Sequence, residues 1–342
     1  MKISKKYFVV TILMVLGMLL AACAPAAEEA APAAEEEVME EEEPMEEEEA
    51  EAEPADDSKT FALVTKSLNN NFWELMQDRC EEIVAEHGDE LVYLAPTKAY
   101  NLEEQTRLID DLIASDVDGI VLVPVDSEGM VPAVERVNEA GIPLALANTD
   151  AYGGERVTFS AVENYEAMER IANYMVDKLG GEGKVIVLEG TAGSQTAIDR
   201  FSAIEDVMAA NPDIEVVSQS AEFSRAKGLE VMENLIQAHP EFDAVMGVND
   251  EMALGALEAM EAAGVAEGVY ISGFDGNSDA VQAIKDGRIL VTMFQNGPAQ
   301  AGDALNALYD FLAGEDVPER IKTDAKLIDA SNVADFEDLI VK

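Results

Sequence analysis

The stretch LNNNFWELM, Leu68 to Met76, sets three consecutive amides and two aromatic rings between an apolar run, TFALVT, and a segment of helical spacing. Trp73 is the only tryptophan of the chain, and exposed rings at such a junction are unfavourable unless something covers them. The same arrangement, an apolar run followed by polar or aromatic residues, recurs along the sequence. Asn69, Asn70, Phe72 and Trp73 follow the first run, and Asp126 follows VLVP. Asn148, Thr149 and Asp150 follow LALA, and Thr191 to Ser194 follow VIVLEG. Phe223 follows SQSAE, Asn249 and Asp250 follow VMGV, Asp275 follows ISGF, and Gln295 and Asn296 end VTMF. Amides and carboxylates can each serve two hydroxyls, arginine donates in a fixed fork, and aromatic faces cover the C–H faces of a sugar ring. The set suits a neutral, polyhydroxylated ligand.

Taken singly, each position has a local alternative. Asp250, ahead of EMALGALEAM, serves equally as a helix N-cap or a ligand contact, and Asp126 or Ser127 could cap the helix that follows them. Catalytic constellations find less support. His87 and His239 stand at the ends of helix-like segments, with no Ser or Cys nucleophile and orienting acid patterned around them, which assigns them to caps or surface. GTAGSQTA places glycine after a strand but lacks the Gly-Lys-Ser/Thr of a phosphate loop, so it reads as a tight turn. Asp275, Asn277 and Asp279 have calcium-loop spacing, yet Ala280 stands where that loop demands glycine. The metal reading is rejected there, and Asp279 is expected to begin a helix. Cys80 shares a helical face with Met76 and Val84, as a buried apolar thiol would. No cofactor and no metal are called for.

The elements that must position these residues follow from periodicity. The strand candidates are TFALVT, ELVYLA, GIVLVP, IPLALAN, RVTFSA, KVIVLEG, IEVVSQS, DAVMGV, VYISGF and LVTMFQ. Between most of them lie segments of helical spacing, such as NLEEQTRLIDDLIAS with Leu102, Leu108, Ile109, Leu112 and Ile113 on one stripe. Unbroken apolar strands alternating with helices imply parallel sheets covered on both faces. Such sheets gather ligand groups just past the carboxyl ends of their strands. About five units precede residue 162 and five follow, which predicts two similar α/β lobes.

The N-terminal region carries different information. MKISKKYFVVTILMVLGMLLAAC joins a basic start to a 13-residue apolar core, Phe8 to Leu20, too short to span a bilayer comfortably. Its end, LAAC, resembles the lipobox of bacterial lipoproteins, which implies cleavage of a signal peptide of residues 1–22 and lipidation of Cys23. Residues 24–57 hold 17 acidic residues and no basic one, the composition of an extended acidic tether running on from Cys23 to residue 58. Of the net charge of −48, the first 23 residues contribute +3 and the tether −17, leaving −34 on residues 58–342. A body so acidic excludes nucleic acid and anionic lipid surfaces as partners; the membrane is reached through the lipid anchor only.

Residues 59–328 resemble the type I periplasmic sugar-binding proteins, most closely the ribose-binding ones, through SLNNNFW, LEGTAGSQTAIDR, FSRAKGLEVMENLIQAHPEFDAVMGVNDEMALGAL and GFDG. The resemblance implies two Rossmann-like lobes with parallel sheets, joined by a three-segment hinge, that close on one monosaccharide or polyol and deliver it to an ABC transporter permease. It assigns ring stacking to Phe72, Trp73 and Phe223, hydroxyl binding to Asn70, Arg200, Asn249, Asp275 and Gln295, and a place in the cleft lining to Phe274. Arg200 and Asp275 are expected to form a buried charge pair. Where the ribose pattern has an Asn before the Pro of the third strand end, this chain has Val123; where it has an Asp-Arg pair, this chain has Asn148 and Thr149. One corner should therefore be roomier and less polar, with Asp150 available to compensate, which makes a hexose, a deoxysugar or a polyol as eligible as a pentose. The implied lobes are 59–161 with 296–324, and 162–295 with 325–342, with hinges near Val162 to Asn164, Gln295 to Pro298 and Asp324 to Lys326. A monomer is expected. The same fold also serves sugar or autoinducer sensing and chemotaxis, and the sequence does not separate transport from sensing; the export signal in place of a DNA-binding helix disfavours a repressor.

Overall fold

The ten apolar runs form ten strands, and a helix follows each of them except the fourth. The computed structural model describes residues 58–68 and 70–339; the expected export signal, Cys23 and the expected acidic tether through Asp57, together with Asn69, lie outside the described residues. In chain order the first half runs β1 (Thr60–Val64), α1 (Asn71–His87), β2 (Glu90–Leu94), α2 (Leu102–Ala114), β3 (Gly119–Leu122), α3 (Val131–Glu139), β4 (Leu144–Ala147) and β5 (Thr158–Ala161). The second half runs α4 (Asn164–Leu179), β6 (Gly183–Glu189), α5 (Gln195–Ala209), β7 (Ile214–Ser220), α6 (Arg225–Ala238), β8 (Ala244–Gly247), α7 (Asp250–Ala263), β9 (Tyr270–Ser272), α8 (Ser278–Lys285) and β10 (Val291–Phe294). After it come α9 (Gly297–Leu312), β11 (Arg320–Lys322), β12 (Lys326–Asp329) and a 3-10 segment, Val333–Leu339.

Two six-stranded sheets result, ordered β11-β5-β4-β3-β1-β2 and β12-β10-β9-β8-β6-β7. All pairs are parallel except β10 with β12. The chain crosses between the sheets three times, after β5, after β10 and after β11. The result is two parallel-sheet α/β lobes. β11 and β12 were not anticipated from sequence, because RIK and KLID are short, polar edge strands without an apolar run.

Burial explains the strand sequences. Along β1, Phe61 and Leu63 pack with Met76 and Leu305 on one face, while Ala62 and Val64 pack with Ile109 and Val134 on the other. Both faces being covered, the alternation of strand side chains never produces a polar position there. Along α2 the stripe is narrower than its spacing suggests: Ile109 and Leu112 are buried, but Leu102 is exposed. Gln105 takes a place inside instead, donating to the carbonyls of Thr65 and Val123 and accepting from Val125 N, which ties the ends of β1 and β3 together. Cys80 is fully buried beside Met76 and Val84, and burial pushes its thiol up to about 12.

Candidate functional site

The carboxyl ends of both sheets meet at one cavity, and helix starts bring its side chains there. Asn70 caps α1, its Oδ1 accepting from Phe72 N at 2.9 Å, and Asn249 caps α7, its Oδ1 accepting from Met252 N at 3.0 Å. Each amide thus commits its oxygen to the backbone and keeps its NH2 group for other acceptors. The alternative left open for Asp250 resolves against capping: it is the first residue of α7, fully buried, and accepts from Thr292 Oγ1 (2.6 Å) and Asn277 N (2.7 Å) behind the cavity. Asp126 accepts from Glu128 N and Gly129 N in the turn before α3. Close approach of α6 and α7 sets two site residues side by side. A Cβ at Gly255 would lie 2.1 Å from the Arg225 carbonyl oxygen, and one at Gly228 2.8 Å from that of Met252. With both absent, the two helices start together, and Asn249 Nδ2 donates to Phe223 O at 3.3 Å.

Nine of the residues singled out from sequence line the cavity: Asn70, Phe72, Trp73, Asn148, Arg200, Phe223, Asn249, Asp275 and Gln295. Lys66, Tyr100 and Thr196 line it as well. Three expected residues are not on this wall. Phe274 is fully buried behind it, with the Arg200 guanidinium stacked on its ring at 3.6 Å. Thr149 is buried and accepts from Lys66 Nζ at 2.6 Å. Asp150 is not among the lining residues, and its Oδ2 accepts from Arg156 Nη2 at 2.9 Å.

Charge and hydrogen bonding form a continuous chain around the site. Arg200 donates through Nε to Asn164 Oδ1 (2.9 Å) and through Nη1 to Val248 O (2.9 Å) and Asp275 Oδ1 (3.4 Å). Gln295 Nε2 donates to Asp275 Oδ1 at 2.6 Å, and Asn148 Nδ2 donates to Gln295 Oε1 at 3.1 Å and to Gln300 Oε1 at 3.2 Å. Burial lowers Arg200 to about 10, with Asp275 opposing the shift, and burial raises Asp275 in spite of the guanidinium beside it. Lys66 is lowered to about 7, first by burial and then by the charge of Arg200.

Backbone strain is concentrated here. Tyr100 (φ 59°), Asn148 (φ 63°), Phe223 (φ 57°) and Asp275 (φ 127°) all hold positive φ, a conformation that costs of order 1–3 kcal/mol and persists where surrounding contacts over-determine it. Asp275 is held by its N–H on Met293 O at 2.8 Å. Tyr100 and Phe223 stack across the two lobes, 5.6 Å between centroids, and separate the cavity from an outer groove that shares both rings. The lobes also touch through Ser127 N on Gly193 O (2.9 Å), Gln195 N on Ser127 Oγ (3.0 Å) and Thr149 Oγ1 with Thr196 Oγ1 (2.6 Å).

Sequence reasoning missed Lys66, Tyr100 and Thr196. Tyr100 lies in the loop after β2, and reading that strand end like the others would have found it. Lys66, two residues past β1, looks like ordinary surface charge until its burial is known.

Two parallel-sheet lobes around a polar and aromatic cleft define the class of periplasmic solute receptors. The chain belongs to the periplasmic binding protein family, whose domain description, "Periplasmic binding protein domain", matches residues 61–316. It is 36% identical over 269 residues to the ribose import binding protein of Bacillus subtilis (strain 168), across 78% of this chain and 86% of that one. An ABC transporter periplasmic solute binding protein from Actinobacillus succinogenes 130z with bound D-allose superposes with a TM-score of 0.76 at 27% identity, across 81% of this chain and 100% of that one. A solute binding protein from Bacillus halodurans C-125 with bound myo-inositol gives 0.76 at 30% identity, across 82% and 98%. The chain is a solute-binding protein of the sugar-binding ABC transporter type, not an enzyme. Proteins of this family are extracytoplasmic, and among the described residues no helix is long and apolar enough to cross a membrane.

Proposed function

We propose that the chain captures one monosaccharide or polyol between its lobes and passes it to the permease of an ABC importer, while lipid on Cys23 and the acidic tether hold it as a monomer at the outer face of the cell membrane. The observation that carries this reading is the convergence of amides, charges and rings from both lobes on one cavity. The relatives whose names or bound ligands are ribose, D-allose and myo-inositol support the ligand class. Phe72 and Trp73, packed edge to face at 4.9 Å, and Phe223 would sandwich the ring, while Asn70, Arg200, Asn249, Asp275 and Gln295 would receive its hydroxyls.

The lobes of this proposal are 59–161 with 296–324, and 162–295 with 325–342, and closure is a hinge motion at the three crossings. Small-angle scattering curves that stay the same with and without saturating ligand would remove the hinge. The central test is a melting-temperature screen of the full-length chain against pentoses, hexoses, deoxysugars, polyols and sugar acids. A ligand at about 100 times its Kd should add about 2.7 kcal/mol of stability. Trp73→Ala and Arg200→Ala should each lose most of the shift. Unchanged shifts in both would place the binding site elsewhere.

A further inference from the structure

Among the residues that line the cavity, cations outnumber carboxylates. Lys66 and Arg200 both line it, and Asp275 is the single carboxylate among the lining residues. Asp275 Oδ1 is already taken by Arg200 and Gln295. Lys66 is 2% exposed, and two of its three donors go to neutral hydroxyls, Thr149 Oγ1 at 2.6 Å and Ser194 Oγ at 3.3 Å. Hydroxyls supply a dipole and no countercharge. The Phe223 ring, 5.8 Å from Nζ, is a weak substitute.

Asp275 favours the charge on Lys66 only through space, and a buried cation with no anion hydrogen-bonded to it is unfavourable. Two more buried donors belong to residues of the same wall: Arg200 Nη2 and Trp73 Nε1 have no hydrogen-bond partner among the described residues. The N-termini of α1 and α7, whose caps Asn70 and Asn249 line the cavity, add partial positive charge. An acceptor-rich, negatively charged group answers all of these at once.

We infer that the ligand is a polyhydroxylated carboxylate, a uronic or aldonic acid, whose carboxylate sits against Lys66 while Asn249, Arg200 and Asp275 engage its hydroxyls. The inference rests on the proposed sugar-type cavity and names the substrate class within it. It revises the neutral ligand suggested by sequence, because that expectation was formed without Lys66. A carboxylate needs few donors, in keeping with the one N–H left on Lys66.

Titration calorimetry on the full-length chain at pH 6.5 would compare D-glucuronate, D-galacturonate and D-gluconate with D-glucose, D-galactose and sorbitol. The acids should bind about ten- to a hundredfold more tightly than their neutral counterparts, the usual gain of a hydrogen bond to a charged group. Lys66→Met should erase that margin, and Lys66→Arg, which keeps the charge, should retain most of it. Tight binding of neutral sugars with no gain for the acids would overturn the inference and leave the sugar-receptor reading standing. A preference for the acids that survives in Lys66→Met would overturn the role of Lys66. Silence toward both groups would remove the receptor reading and this inference with it.

Discussion

The second-lobe wall of the cavity holds its polar groups with its own backbone: Arg200 reaches Val248 O and Asn164, and Asp275 is fixed through its N–H on Met293 O. The first-lobe wall is built from rings, and its charge, Lys66, is steadied by one hydroxyl of its own lobe and another, Ser194, from across the cleft. The second wall is therefore held within one lobe, whereas part of the support of Lys66 comes from the other lobe. Under the proposed function, the second wall would serve as a general hydroxyl-binding plate and the facing wall would set specificity. Val123, Asn148 and Thr149, where the chain departs from the ribose pattern, all belong to the first lobe or its border, as Lys66 does.

Breaking the rigid wall should have the largest effect. Arg200→Met removes the guanidinium paired with buried Asp275 and should cost about 3–5 kcal/mol in chemical denaturation, with loss of the sugar-induced shift. If stability falls by less than about 1 kcal/mol, the second wall is not held by that pair.

Lys66→Met probes the opposite wall through pH. A buried lysine lowered to about 7 disfavours its charged form, so the unfolded chain binds more protons between pH 7 and 10.5. The resulting penalty on the folded protein is complete below about pH 7 and fades as pH rises toward 10.5. Without added ligand, Lys66→Met should thus exceed wild type in stability by about 2–4 kcal/mol at pH 6 and lose that advantage at high pH. A pH-independent difference in denaturation midpoints would mean that Lys66 is solvated.

Gly193→Ala tests the meeting of the walls. A Cβ at Gly193, whose φ is 87°, would lie 1.9 Å from Asp126 Oδ2, in a carboxylate whose other oxygen is held by two backbone N–H groups. The variant should bind ligand about tenfold more weakly by calorimetry, a cost of about 1.4 kcal/mol on closure. Equal affinity would show that Asp126 yields freely. Thr149→Val removes one acceptor from Lys66 and should cost about 1 kcal/mol of binding energy, the smallest effect of the four.

Much of this molecule is legible in the sequence for a physical reason. Strands covered on both faces must be apolar throughout, so ten of them stand out, and a parallel sheet sends the loops after their ends toward one side. That is why Asn70, Trp73, Asn249 and Asp275 were found by position. Phe274 and Asp150 were also adjacent to strand ends, yet one lies beneath Arg200 and the other turns to Arg156. Adjacency along the chain states which loop a residue occupies and leaves open which way its side chain points.

Periodicity and composition by themselves determined the two α/β lobes, the strand-end loops and the acidic character of the surface, because these depend on local spacing and total charge. Only the tertiary structure decided that Lys66 is buried, that Asn249 rather than Asp250 caps its helix, and that Tyr100 stacks on Phe223 across the cleft. Each of those outcomes depends on a partner far away in sequence, and burial of a charge acquires its energetic meaning from the partners that surround it.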